Sequence, residues 1–191
     1  MKPLTTLAHE AAARVLDAGD IAIDLTAGNG HDTLFLARSV GPTGHVYAFD
    51  IQPSAIQATK ELLINHSLDA HVTLRMESHA HWGTTIPHEL KSRIQVVMMN
   101  LGYLPGGDKS LVTLATSTLA AIDIALDSLK PGGLLTVLAY TGHPGGQSEA
   151  DAVHIKFAKL DPTKFECHTE PEKPIEGAPV LHLVSKNFLI A

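Results

Sequence analysis

The 191-residue chain has a single cysteine, Cys167, which rules out an internal disulfide and a zinc site built from cysteines. Aromatic residues make up only 5% of it. No apolar run approaches the ~20 residues that a membrane-crossing helix needs. Met1 to Asp20 lacks a signal-peptide core, because His9, Glu10 and Arg14 interrupt its apolar residues, and cytoplasmic residence is expected. Positive charge is scarce too: 14 Lys and Arg stand against 20 Asp and Glu, a net charge of -6. Proteins that bind nucleic acid by general phosphate attraction are usually basic. A nucleic-acid partner would have to be gripped by a local patch or recognised by shape. Lys156, Lys159 and Lys164 are the nearest thing to such a patch, and a solvated helix face explains them equally well. Repeats, low-complexity tracts and any sign of a second domain are also missing, so one domain over 1–191 is expected.

Hydrophobic residues at 45% suit a globular core, and 12 histidines are an unusual number. The histidines lack the tight spacing of H-E-x-x-H. Solvated or core histidines are expected for most of them, and no metal site is.

Apolar periodicity gives an amphipathic helix over Thr6 to Ala18, ended by Gly19. Strands follow at Ile21 to Leu25, His45 to Asp50, His71 to Met76, Ile94 to Asn100 and Leu134 to Tyr140. Between and after them lie helices over Asp32 to Val40, Pro53 to His66, Ser110 to Leu129 and Ser148 to Leu160. Two further strands, Phe165 to Thr169 and Val180 to Phe188, flank the proline-rich Pro171 to Pro179. Strands alternating with helices predict a doubly wound α/β fold with a mostly parallel sheet. The last two strands have no helix between them and should pair antiparallel.

The most informative stretch is Ile21-Ala22-Ile23-Asp24-Leu25-Thr26-Ala27-Gly28-Asn29-Gly30-His31-Asp32-Thr33. An apolar strand ends in an acid, and a glycine turn opens a helix, which is how α/β proteins build a nucleotide site. A dinucleotide fingerprint would carry a third glycine where Thr33 stands. Gly28 and Gly30 leave room for the backbone to approach a smaller ligand. Asp50 ends the next strand, 20 residues past Gly30, at the distance of a carboxylate that reaches ribose hydroxyls. With Leu129-Lys130-Pro131-Gly132-Gly133-Leu134-Leu135, read as helix end, tight turn and buried strand, these segments resemble the class I S-adenosylmethionine-dependent methyltransferases. That resemblance implies a seven-stranded sheet with an antiparallel C-terminal hairpin. It implies that Asp24 and the glycine loop face the methionine end of the cofactor, and that Asp50 holds the ribose.

Ligands in such sheets bind beyond the carboxyl ends of the strands. The candidate cofactor contacts there are Asp24, Thr26, Gly28, Asn29, Gly30, Asp32, Asp50, Gln52, Ser78, His79 and Asn100, with Ser78 and His79 in reach of an adenine. Asn100-Leu101-Gly102-Tyr103 partly resembles the Asp/Asn-Pro-Pro-aromatic turn of amino-directed methyltransferases. A carbonyl at Asn100 can accept hydrogens from an amine and align its lone pair for in-line attack. Asn100, Tyr103 and His143 are therefore the candidate catalytic residues, each also explicable as an ordinary turn, packing or loop residue. Leu101, Gly102, Lys109, Tyr140 and Gly142 are candidate substrate contacts, Tyr140 by stacking on a base and Lys109 on a phosphate.

The glycine-loop string, Asn100-Leu101-Gly102-Tyr103-Leu104-Pro105-Gly106-Gly107-Asp108-Lys109 and Tyr140-Thr141-Gly142-His143-Pro144-Gly145-Gly146 together resemble the small bacterial methyltransferases long labelled rRNA methylases. The resemblance runs from about Ala8 to Phe188. It implies methyl transfer from S-adenosylmethionine to the exocyclic amine of 5-aminomethyl-2-thiouridine at the tRNA wobble position, an anticodon loop as partner, and a homodimer. Other readings stay open at this point: an rRNA or small-molecule amine methyltransferase, a nicotinamide-dependent oxidoreductase, and a non-catalytic binding module.

Overall fold

In the computed structural model of the chain, residues 2–108, 110–172 and 177–188 are described. Seven strands form one sheet: β1 (Ile21–Asp24), β2 (His45–Asp50), β3 (Val72–Met76), β4 (Ile94–Leu101), β5 (Leu129–Ala139), β6 (Phe165–Glu170) and β7 (Val180–Lys186). Their order is β3-β2-β1-β4-β5-β7-β6. The first five run parallel, and β7 lies antiparallel to both β5 and β6, as the expected C-terminal hairpin requires.

Six helices cover the faces: α1 (Leu4–Ala13), α2 (His31–Val40), α3 (Pro53–Asn65), α4 (Trp82–Thr85), α5 (Ala115–Ser128) and α6 (Gly146–Ala158). None of the described helices is long and apolar enough to cross a membrane. The central strands are apolar on both faces, so the sheet separates two cores. One holds Ala8, Ala12, Leu36 and Leu63 on the α1–α3 side. The other holds Trp82, Ile122, Ala125 and Phe157 on the α4–α6 side. Trp82 is fully buried and donates its indole N–H to the Ala121 carbonyl at 3.2 Å. That bond fixes the segment after β3 onto α5.

The short α4 was not expected, and three further elements differ from the expectation. The first helix ends at Ala13 rather than Ala18. Leu16 still packs into the core, but from a turn closed by the Asp17 N–H on the Asp20 carboxylate at 2.8 Å. The fifth helix starts at Ala115 rather than Ser110, because Val112 and Thr113 are engaged elsewhere: Val112 bridges Tyr103, and the Thr113 N–H bonds the Gly102 carbonyl at 3.0 Å. The Lys130-Pro131-Gly132-Gly133 segment is a bulge inside β5 rather than a turn before it. The pairing jumps from Ile94–Leu129 to Val96–Leu134, and the Gln95 amide spans the gap to the Gly132 carbonyl at 3.1 Å.

Strand order reverses between β1 and β4, one neighbour leading outward to β2 and β3 and the other to β5. Such a switch point opens a crevice at the carboxyl ends of the strands.

Candidate active site

The crevice is a cavity of ≈ 980 Å³. Its floor is the glycine loop after β1. Gly28 has φ +54° and Gly30 φ +84°, conformations that favour glycine. A Cβ on Gly30 would lie 2.9 Å from the Thr59 backbone, so that glycine answers to the packing of α3 and not to a ligand. Gly30 is not among the residues that line the cavity.

Asp24 also lies outside the cavity lining. It is fully buried beneath the loop, with Oδ2 accepting from the Thr33 hydroxyl at 2.6 Å and Oδ1 from the Thr26 N–H at 3.0 Å. Burial, with the nearby Asp32 carboxylate adding to it, pushes its pKa up to about 7. Asp24 shapes the loop and touches no part of the cavity.

Asp50 does reach the cavity. Its carboxylate accepts the Gly28 N–H and the Gln52 N–H, each at 2.9 Å. A carboxylate has about four acceptor positions, so two remain for a pair of hydroxyls. Thr26, Asn29, Asp32, Gln52, Ser78, His79 and Asn100 line the same space. His79 is pushed down to about 4 by burial, so it is a neutral ring, bonded to the Ser117 hydroxyl at 3.2 Å.

The roof is the chain after β4. Asn29 donates to the Pro105 carbonyl at 3.3 Å, and Leu104 lies over Gly28. Gly102 donates to the Thr113 hydroxyl at 2.9 Å, which itself donates to Glu149 at 2.6 Å. Glu149 is buried and takes a second hydroxyl, Thr118, at 2.6 Å. One carboxylate on α6 thus ties the roof to α5.

At the far end stand Leu101, Gly102, Tyr103, Tyr140, Gly142 and His143. Tyr103 and Tyr140 are well exposed, and the ring of Tyr103 meets His143 edge-on at 6.0 Å. His143 turns Nδ1 to the Pro144 carbonyl at 3.1 Å, and its Nε2 is buried against Gly102 and Gly146 without a hydrogen-bond partner. Lys109 lies outside the described residues. Of the three lysines read as a patch, Lys156 is paired with Asp123, and Lys164 lies 4.0 Å from Asp161. Among the described residues, no group of three or more His, Cys, Asp and Glu is placed to hold a metal ion.

Between floor and roof, Asn100 is held by both its backbone and its side chain. Its backbone N–H donates to the Thr26 hydroxyl at 2.7 Å, and its Nδ2 donates to Asp32 Oδ2 at 2.6 Å. The other oxygen of Asp32 meets His9 Nε2, also at 2.6 Å. An amide oxygen placed against the carboxylate would be repelled, so the amide is oriented with Oδ1 away from Asp32. His9, on α1, is a site residue that motif reading missed, since α1 precedes the strand-loop-helix frame altogether. Thr113 and Glu149 were missed because no local pattern marks a residue that works through long-range hydroxyl contacts.

The family described as "Putative rRNA methylase" matches residues 46–184. The chain belongs to this family of methyltransferases. Among the solved structures similar to this chain are a "putative rRNA-methylase" from Clostridium thermocellum (34% identity, 97% of this chain and 98% of that one, TM-score 0.91) and a "putative methyltransferase" from Streptococcus mutans in complex with SAH (34%, 97% and 99%, TM-score 0.85). A chloroplastic tRNA (mnm(5)s(2)U34)-methyltransferase of Arabidopsis thaliana is 42% identical over 174 residues. That match takes in 87% of this chain but only 63% of the plant protein.

Proposed function

We propose that the protein transfers a methyl group from S-adenosylmethionine to the exocyclic amine of 5-aminomethyl-2-thiouridine at the wobble position of tRNA. The observation that carries the amine chemistry is Asn100, whose amide is anchored on Asp32 with its oxygen left as an acceptor. The names of the plant relative and of the SAH-bound neighbour support the tRNA substrate and the cofactor.

The cavity fits that cofactor by its donor set. Asp50, with acceptor positions to spare, suits the two ribose hydroxyls. Gly28, Asn29 and Thr26 offer a close-approach floor for the methionine end, and Ser78 and neutral His79 are polar contacts for an adenine. When bound, S-adenosylmethionine supplies an electrophilic methyl on a sulfonium and retains the C–S electron pair as a thioether. The protein's own work is to bring the amine nitrogen into line. Asn100 Oδ1 accepts an N–H of the amine, which aims the lone pair. Tyr103 and Tyr140 offer faces for an unstacked anticodon base, the usual way RNA loops are read. His143, its Nε2 covered by two glycines, supports Tyr103 and Gly102 in this reading rather than carrying a proton. Cytoplasmic residence belongs to the same reading, as a compartment that holds tRNA. A homodimer belongs to the same reading, and sedimentation of the free protein tests it: a monomer at micromolar concentration removes it.

The test of function is methyl transfer from labelled S-adenosylmethionine to tRNA bearing 5-aminomethyl-2-thiouridine, beside tRNA lacking the aminomethyl group and ribosomal RNA. Label confined to the aminomethylated tRNA supports the reading. Label on rRNA alone, or on none of the three with SAH binding intact, refutes the substrate. Asn100→Ala should keep SAH affinity and lose most of the turnover.

A further inference from the structure

We propose that His9, oriented by Asp32, is the base that takes the proton the acceptor amine must lose; this deepens the amine-methylation reading and rests on it. An alkylamine in water at pH 7 is mostly an ammonium, with no lone pair to attack a methyl group. An acidic pocket stabilises that ammonium further. Something in the site has to remove a proton.

The candidates that line the cavity can be sorted by their bonds. His143 has one ring nitrogen on a carbonyl and the other covered by Gly102 and Gly146. His79 is held on Ser117 and is a weak base, since burial opposes its charge. Asp50 carries the glycine loop and, in the proposed reading, the two ribose hydroxyls. Asp24 lies below the cavity, closed off by Thr33 and Thr26. Glu77 accepts the Thr85 hydroxyl at 2.8 Å, and His31, exposed at the start of α2, has no carboxylate partner among the described residues. His9 is the cavity imidazole that a carboxylate orients, with Nε2 on Asp32 at 2.6 Å and no hydrogen bond from Nδ1 among the described residues.

The surroundings favour that assignment. The imidazole lies flat on Phe35, centroids 4.1 Å apart and planes 5° from parallel, a contact that opposes tilting of the ring. Its side chain is 29% exposed, which leaves a route to solvent. A carboxylate on Nε2 fixes the tautomer, with the proton on Nε2 and the lone pair on Nδ1. The charged and titratable groups around it are few. Asp32 comes from α2, with Asp24 behind it on β1. Tyr140 follows β5, its phenol raised by burial and by Asp32. On its other side α1 meets apolar Leu134, Leu138 and Leu181 of β5 and β7. Asp32 also holds Asn100, so one carboxylate sets both the acceptor for the amine hydrogen and the base.

The balance is one proton per turnover. The ammonium gives a proton to His9 Nδ1, directly or through one water. The freed lone pair forms the N–C bond as the C–S bond breaks toward sulfur. The product leaves as a secondary ammonium, and the imidazolium returns its proton to solvent.

Two measurements test this. In cofactor-free protein with 15N-labelled histidine, the His9 ring, assigned by its loss in His9→Gln, should carry its proton on Nε2 and none on Nδ1 at pH 8. A proton on Nδ1 overturns the proposal whatever the substrate. In turnover, His9→Gln should keep SAH affinity and lose about 100-fold in kcat at pH 7. The deficit should shrink as rising pH deprotonates the amine in solution. A kcat within threefold of wild type, or a deficit unchanged with pH, overturns it. Wild-type enzyme that leaves the aminomethylated tRNA unlabelled overturns the acceptor reading itself, a result distinct from failure of the variant alone.

Discussion

Replacing Asp50 separates cofactor binding from loop stability. Its carboxylate accepts two backbone N–H groups at 2.9 Å, one from Gly28 in the glycine loop and one from Gln52. Hydrogen bonds to a charged group contribute about 1.5–3 kcal/mol each, and partial exposure argues for the lower end. Asp50→Ala should therefore cost roughly 2–3 kcal/mol of folding stability. If two ribose hydroxyls also bind there, their loss adds about 2–4 kcal/mol to the binding deficit, or roughly 30- to 1000-fold in SAH affinity. Asp50→Asn keeps one acceptor for one N–H and turns an NH2 against the other. It should lose affinity nearly as far while remaining folded. Calorimetric titration with SAH, beside thermal melts of the three proteins, decides the matter. A variant that melts lower yet binds SAH within threefold of wild type would refute the ribose role and leave Asp50 as a loop anchor.

Other substitutions probe the frame around the site. Glu149→Ala removes the acceptor of two buried threonine hydroxyls and should cost about 2–4 kcal/mol in urea unfolding; a loss under about 1 kcal/mol would mean that the hydroxyls find other partners. Gly30→Ala meets both a positive φ and the Thr59 backbone at 2.9 Å, whereas a Cβ on Gly142 meets nothing within 4 Å. The first should cost about 2–4 kcal/mol and the second almost nothing, and equal melting temperatures would contradict this account. Burial lowers His182 to about 4, with His154 contributing, from an unfolded value near 6.5. A lowered base contributes stability that is present above about pH 6.5 and lost as pH falls toward 4. Asp24, raised to about 7, acts in the opposite sense: its contribution is present below about pH 4 and lost as pH rises through 7. His182→Gln should flatten the acid side of a stability-pH curve and Asp24→Asn the rise-to-neutral side; an unchanged slope in either variant removes burial as its cause.

The parts of the fold that a sequence displays are those where one residue decides a local conformation. Pro53 starts α3, and a glycine in a left-handed conformation at Gly30 opens α2. The apolar run Ile94 to Asn100 belongs to a strand buried on both faces. Where a segment is held by distant partners, local pattern fails. Residues 110–114 have helical composition but lie extended, because Tyr103, Gly102 and Glu149 hold Val112 and Thr113. The bulge at Lys130 to Gly133 is set by the register against β4, which a single strand does not carry.

The site divides along the same line. Asp50, Asn29, Gln52 and Asn100 sit at strand ends, where topology alone puts them at the cavity. Asp24 and Gly30 carry the same motif signal, yet they serve the loop from beneath, since a buried carboxylate and a glycine pressed on α3 are what hold the loop open above. The motif thus mixes residues that contact the cavity with residues that shape it, and only burial separates them. His9 gave no signal, because its place depends on α1 packing across β5 and β7, far along the chain. Its partner Asp32 was legible as a polar residue at the start of α2, but its use was not. Two donors, from α1 and β4, converge on that one carboxylate, and their convergence is a property of the folded sheet.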